Sequence, residues 1–418
     1  KKAEVPGRVI RLHERELKGS MIMANKERLN HYPSIFIHGF EGYGCYDKTD
    51  YVMHYWGMFR GDLMKHLRDQ GYEVYNPSVG PFHSGWDRSC ELYAILKGGT
   101  VDYGKVHSEK YGHERYGRTY PGILKDLGTP GDHEKINLVG HSFGGPTVRL
   151  FDYLMAYGSE EERNGTPADE LSGLFKGGKG DCIHTVTTLS GVNNGTTYAA
   201  WHGILVNKFL CYYVMYFVTL LGNSWVGKYY DPMMEQWGVM KNPEKVKIRR
   251  FRLPTYEWLK MYRFANNEFD NSAFELGIYV MEKLNKDIHA HEGTYYFAHR
   301  ACRSHKSLFG LQTPDKEMSL FCKDAGYITS HIITPKMRRH GINKDWLPTD
   351  GYVNTISTGA PLTEEATEWK EGMTVTPGHW YNMPVVRFDH VSWNGLKETG
   401  EDMRKLYKDL LTKFANLA

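Results

Sequence analysis

The chain has 418 residues, is 41% hydrophobic and 24% charged, and carries 52 Lys+Arg against 49 Asp+Glu. That is the composition of an ordinary globular protein long enough for a large core, and a net charge of +3 is too balanced for nucleic acid or an anionic membrane to be the main partner. The six cysteines (Cys45, Cys90, Cys182, Cys211, Cys302, Cys322) form no C-x-x-C pair; Cys302 and Cys322 are placed to close a loop, with buried free thiols an equal reading. No secretory leader is expected at the start, and a processed form would look the same.

In chain order, residues 1–31 are rich in Lys and Arg without an apolar period and read as a peripheral arm before one domain at 32–418. Ile35 to Phe40 reads as a buried strand running into the Gly-rich loop Glu41 to Gly44. Phe59, Leu63 and Leu67 predict a helix ending at Gly71, and Tyr72 to Tyr75 a second strand. A strand, a helix and a strand imply a parallel pair with a crossover. Cys90 to Leu96 is predicted helical, and Gly98 to Arg118 a loop-dominated part of an insertion over about 84–122. Val186 to Leu189 is a further strand.

Ala199 to Gly222 is apolar almost all round, inside a region (about 196–240) expected to act as a lid. His202, Asn207 and Lys208 interrupt it, leaving too short a charge-free run for a bilayer. A helix covered in one state and exposed in another is expected; a buried core helix is the alternative. Phe274 to Leu284 is predicted helical, Thr294 to Ala298 and Met383 to Phe388 strands, and Met403 to Leu417 a closing helix. The alternation is that of a single α/β domain.

The stretch that carries chemistry is Ile136 to Gly145, a strand followed by Gly140-His141-Ser142-Phe143-Gly144 and then a helical pattern (Val148, Phe151, Met155). A Gly-x-Ser-x-Gly turn between strand and helix tips the serine out where flanking side chains have no room. A serine hydroxyl needs a base in hydrogen-bond reach, itself oriented by a carboxylate, and in this architecture the acid and histidine follow the serine. His390, just beyond a late strand, fits better than His331, His340 or His379. The acid is Asp350 or Asp345, which spacing does not separate. The oxyanion donors are expected at the N–H groups of Phe143 and of Phe40, in the loop after the first strand.

Together FIHGFEGYG (Phe36 to Gly44), YWGMFRGD (Tyr55 to Asp62), Trp86-Asp87-Arg88, the block Gly98 to Gly122, Gly140 to Gly145, Gln236-Trp237-Gly238, DGYVNTIS (Asp350 to Ser357) and Asp389-His390 resemble the secreted bacterial lipases of family I.5. The resemblance runs from about Pro33 to the C-terminus. It implies an α/β-hydrolase fold with a mostly parallel sheet and a triad of Ser142, Asp350 and His390. It further implies a structural zinc, with Asp87, His107 and His113 at three ligand positions and Glu235 at the fourth, Asp231 being its substitute. Calcium is not expected, because Ser392 and Lys397 stand where the family has acidic ligands. The activity implied is hydrolysis of acylglycerols and other hydrophobic esters, polyesters included if the site stays open, by a secreted enzyme meeting its substrate or a lipid–water interface without a stable protein partner. An acyltransferase with the same triad and a non-catalytic lipid-binding protein of the same fold remain as alternatives.

Overall fold

The computed structural model describes residues 28–201, 230–238, 264, 267, 270–398 and 400–417. Its strands are β1 (Ser34–Ile37), β2 (Val74–Tyr75), β3 (Gly99–Asp102), β4 (Tyr116–Tyr120), β5 (Ile136–His141), β6 (Ile183–Leu189), β7 (Tyr295–His299), β8 (Ser304–Lys306), β9 (Gln312–Pro314), β10 (Ala366–Glu368) and β11 (Trp380–Asn382). Among the described residues seven strands form one sheet, ordered β10-β11-β7-β6-β5-β1-β2, every pairing parallel. The helices used below are α1 (Leu63–Asp69), α2 (Gly85–Lys97), α3 (Lys105–Tyr111), α4 (Gly144–Tyr157), α5 (Ile278–Asp287), α6 (Leu320–His331) and α7 (Gly400–Ala415). This is the α/β-hydrolase architecture.

Strand alternation divides the core in two. Ile35, Ile37, Leu138 and Val186 face one side, where α2 contributes Leu92, Ile95 and Leu96 and α4 contributes Val148, Phe151 and Leu154. Phe36, Val139, Leu189 and Phe297 face the other, against Leu63 and Leu67 of α1 and Tyr407, Leu411 and Phe414 of α7. Every residue of β1, β5 and β6 is buried, and each large apolar side chain there contributes roughly 1.5–3 kcal/mol. The chain leaves β1 toward β2 and later returns to β1's other edge with β5. That reversal opens a crevice beyond the carboxyl ends of β1 and β5, the place where open α/β sheets hold ligands.

Several elements differ from expectation. Phe59 is 71% exposed and outside α1, which starts only where the Asp62 carboxylate caps the Lys65 N–H at 2.8 Å. Gly98 to Arg118 is not loop-dominated: β3 and β4 form an antiparallel pair around α3. Within Met383 to Phe388 only an isolated bridge from Val386 to Ala301 forms, because Pro384 has no N–H for a ladder. The strand lies just before it, at β11. Cys302 and Cys322 are both free thiols. At the start of the described chain Arg28 pairs with Glu73 and Asp132, each at 2.9 Å. Residues 1–27 of the expected arm, and nearly all of Ala199 to Gly222, lie outside the described residues.

Candidate active site

The turn after β5 is as tight as its glycines suggest. A Cβ at Gly140 would overlap the Gly144 carbonyl, and one at Gly144 the Ile37 carbonyl. Between them Ser142 has φ +57°, a left-handed conformation costly for a residue with a Cβ. Hydrogen bonds hold it there: its N–H donates to Leu189 O at 3.0 Å, and its carbonyl accepts from Gly145 at 3.0 Å and Val192 at 3.2 Å.

His390 Nε2 is 2.8 Å from Ser142 Oγ, and His390 Nδ1 is 2.8 Å from Asp350 Oδ2. Asp350 is fully buried, and its other oxygen accepts the Val353 N–H at 2.9 Å. The rival Asp345 sits in a short 3-10 turn capped by Asn343, away from this row. Of the rival histidines, His340 pairs with Glu282, His331 with the Tyr327 carbonyl and Ser330, and His379 with Thr367.

The peptide planes after β1 are oriented by buried side chains that chain position alone does not single out. The Gly39 carbonyl accepts from His38 Nδ1 at 2.9 Å, Arg88 Nη1 at 3.4 Å and Gly42 N at 3.1 Å, while Arg88 Nη2 donates to the His38 carbonyl. A trans peptide sets C=O and N–H in opposite directions, so the Phe40 N–H is turned away from these donors. Phe40 and Ser142 share the wall of one cavity. Arg88 also lies 5.2 Å from the centre of the Phe143 ring, so one guanidinium braces both expected oxyanion residues. Burial and Arg88 push the His38 imidazole down to about 3, so it is neutral and its Nε2 accepts the Val79 N–H at 3.2 Å. The Phe143 N–H heads α4, where the first helical N–H groups have no partner in the helix and the helix end favours negative charge. The cavity, about 440 Å³, is walled by Phe40, Met53, Met58, Tyr198, Leu276 and Tyr352 beside Ser142 and His390, an apolar container for an acyl or alkyl group.

A second cluster lies behind this loop. Ligand atoms of Asp87, His107, His113 and Asp270 all lie within 4.8 Å of one another. Glu235, expected as the fourth member, is not among them. It forms an ion pair with Arg118, which Asp231 joins at 3.1 Å, and a guanidinium already neutralises both acids. Asp270 has no motif around it and follows residues whose local pattern suggested no element; only folding brings it to α2 and α3. The cluster fits a cation. Asp87 Oδ1, Asp270 Oδ2 and His113 Nε2 are buried without hydrogen bonds, and such orphans are costly unless something binds them. His113 Nδ1 donates to the Glu114 carbonyl at 2.9 Å, which leaves the Nε2 lone pair facing the carboxylates. Outer contacts are also in place: Gln236 on Asp87 at 3.1 Å and Ser84 on Asp270 at 2.6 Å. Two nitrogens and two oxygens form a donor set compatible with zinc. Near His390, Asp389 instead spends its oxygens on the Ser319 N–H and the Ser392 hydroxyl.

Comparison with known proteins agrees with this layout. The family model described as "Lipase-like, C-terminal domain" matches residues 30–417. The chain is 32% identical over 411 residues to lipase 2 of Staphylococcus aureus, covering 95% of this chain and 55% of that protein. It thus spans about half the length of the curated relatives it matches. Among solved structures, the lipase of Staphylococcus hyicus is similar with a TM-score of 0.79 at 29% identity, over 93% of this chain and 97% of that one. Lipase 1 of Pelosinus fermentans is similar with a TM-score of 0.75 at 34% identity, over 93% and 100%.

Proposed function

The chain belongs to the lipase-like family, and from that membership and the geometry of its site we propose that it is the catalytic part of a secreted carboxylic ester hydrolase acting on acylglycerols and other hydrophobic esters. The observation that carries the reading is the unbroken row Ser142 Oγ, His390 Nε2, His390 Nδ1 and Asp350, with 2.8 Å at each junction, on a serine in a strained turn at a cavity.

Ser142 Oγ attacks the ester carbonyl carbon as His390 Nε2 takes its proton, and Asp350 holds the imidazole and balances the imidazolium. The carbonyl oxygen becomes an anion between the Phe40 and Phe143 N–H groups. Collapse breaks the bond to the alcohol, which leaves with the proton from His390. Water then attacks the acyl-Ser142 ester with His390 again as base, releasing the acid and restoring the serine. Asp87, His107, His113 and Asp270 would hold a zinc ion; with four protein ligands it would be structural, tying the β3–β4 insertion to α2.

Hydrolysis of p-nitrophenyl butyrate tests the reading. Ser142→Ala is expected to lower kcat on the order of 10³-fold or more; a variant that keeps its activity sinks it. Rates over ester chain length then report how the cavity is used, and product analysis with added alcohol detects acyl transfer.

A further inference from the structure

One set of polar groups at the crevice, His141 among them buried, takes no part in the steps above. Tyr55, ahead of α1, places its hydroxyl 2.7 Å from the Gly39 N–H and 2.7 Å from His141 Nδ1. His141, the residue before the nucleophile, is 2% exposed, and its Nε2 lies 2.9 Å from the His390 carbonyl. Proton directions follow from one fixed end. A carbonyl only accepts, so His141 Nε2 carries the hydrogen. A neutral ring then offers a lone pair at Nδ1, so the Tyr55 hydroxyl donates there and accepts the Gly39 N–H on its oxygen. Each donor has one acceptor, and none is left over. Burial and the neighbouring His390 keep the His141 imidazole far below its ordinary pKa, as this pattern requires.

The two ends of the row are the two halves of the reaction centre, the oxyanion loop and the base. Gly39 belongs to the loop whose next residue, Phe40, lines the cavity beside Ser142. His390 is the base; its own N–H is bound to the Asp350 carbonyl at 2.8 Å, so the bond from His141 pins the other side of the same residue. The rings of His141 and His390 are 4.9 Å apart, which makes an uncharged His141 important: a second cation there would oppose the imidazolium formed on His390.

We propose that Tyr55 and His141 are positioning residues that fix the oxyanion loop and the backbone of the catalytic histidine in one register, so that proton transfer and oxyanion binding act on the same carbonyl. The proposal rests on the ester-hydrolase reading. Without the Tyr55 hydroxyl the substrate still enters the apolar cavity, while Phe40 N–H and His390 lose their common reference. The loss therefore belongs to the transition state, not to ground-state binding.

The test uses the whole chain, with p-nitrophenyl butyrate as substrate and an alkyl trifluoromethyl ketone, whose adduct on Ser142 carries an oxyanion, as probe. Tyr55→Phe is expected to lower kcat about 10- to 100-fold, the usual cost of a small misplacement at the reacting atoms, with KM within about twofold and ketone affinity falling in step with kcat. His141→Leu, which removes both bonds, should behave alike. His141→Gln, whose amide can donate to the His390 carbonyl and accept from Tyr55, should recover at least about tenfold of the His141→Leu loss. Unchanged kcat and ketone affinity in Tyr55→Phe overturn the proposal. So does a loss with no recovery in His141→Gln and no fall in ketone affinity, since that is damage to the fold alone. A parent chain that hydrolyses no soluble ester refutes the functional reading instead.

Discussion

At Gly39 the need for glycine is a matter of space. A Cβ there would lie 2.7 Å from Ser142 Cβ and 3.1 Å from both Ser142 Oγ and the Tyr55 hydroxyl. Gly39→Ala is therefore expected to keep the fold, since no left-handed φ is required at that position, yet lower kcat on the order of 100-fold by moving the nucleophile against the oxyanion loop; thermal unfolding and ester kinetics measured together check both halves. Arg88 makes the complementary case. It sits fully buried with its Nε unpaired, and its fork spans two carbonyls that a lysine ammonium cannot span. Arg88→Lys should lower kcat with little change in KM, and equal losses in both would show that the guanidinium does not aim the loop.

Among the elements, the β3–β4 insertion with α3 brings His107 and His113 to Asp87 at the start of α2. Trp86 stacks on His107 with ring centres 4.9 Å apart, so the histidine enters a prepared slot. The fourth ligand separates sequence from structure. Glu235 stands beside Trp237, where a ligand was expected, but its Oε1 accepts from the Arg118 guanidinium, whereas Asp270 completes the cluster. Metal analysis of purified variants distinguishes the two: Asp270→Ala should lose bound metal and Glu235→Ala keep it. Removing bound metal with a chelator should lower the unfolding temperature, because the two buried carboxylates would then lose the dication between them.

Over the whole molecule, one acid lies between a helix and the sheet that it covers. Asp152 of α4 is buried against Tyr296 of β7 and Thr294 just before that strand, and burial raises its carboxyl from 3.8 to about 7. Between those values the folded chain keeps a proton that the unfolded chain has released, so stability falls as pH rises through that window. Asp152→Asn should flatten the fall, by on the order of a few kcal/mol at the alkaline end; urea unfolding at several pH values measures it, and an unchanged slope would mean another group sets it. The sequence by itself determined the parallel sheet, the elbow around Ser142 and the identity of the base's neighbourhood. Those features rest on local signals: strand alternation, glycines with no room for a Cβ, and a fixed chain order of serine, acid and histidine. Asp350 and Asp345 were equal by spacing, and only the resemblance preferred one; the folded chain brings Asp350 alone to His390. Asp270, Arg88, Tyr55 and His141 owe their places to contacts between residues far apart in the chain, where no local period reports proximity. What only the tertiary structure decided is thus which buried polar groups meet, because a buried donor or acceptor must find a partner and the partner can come from any element the fold carries past it.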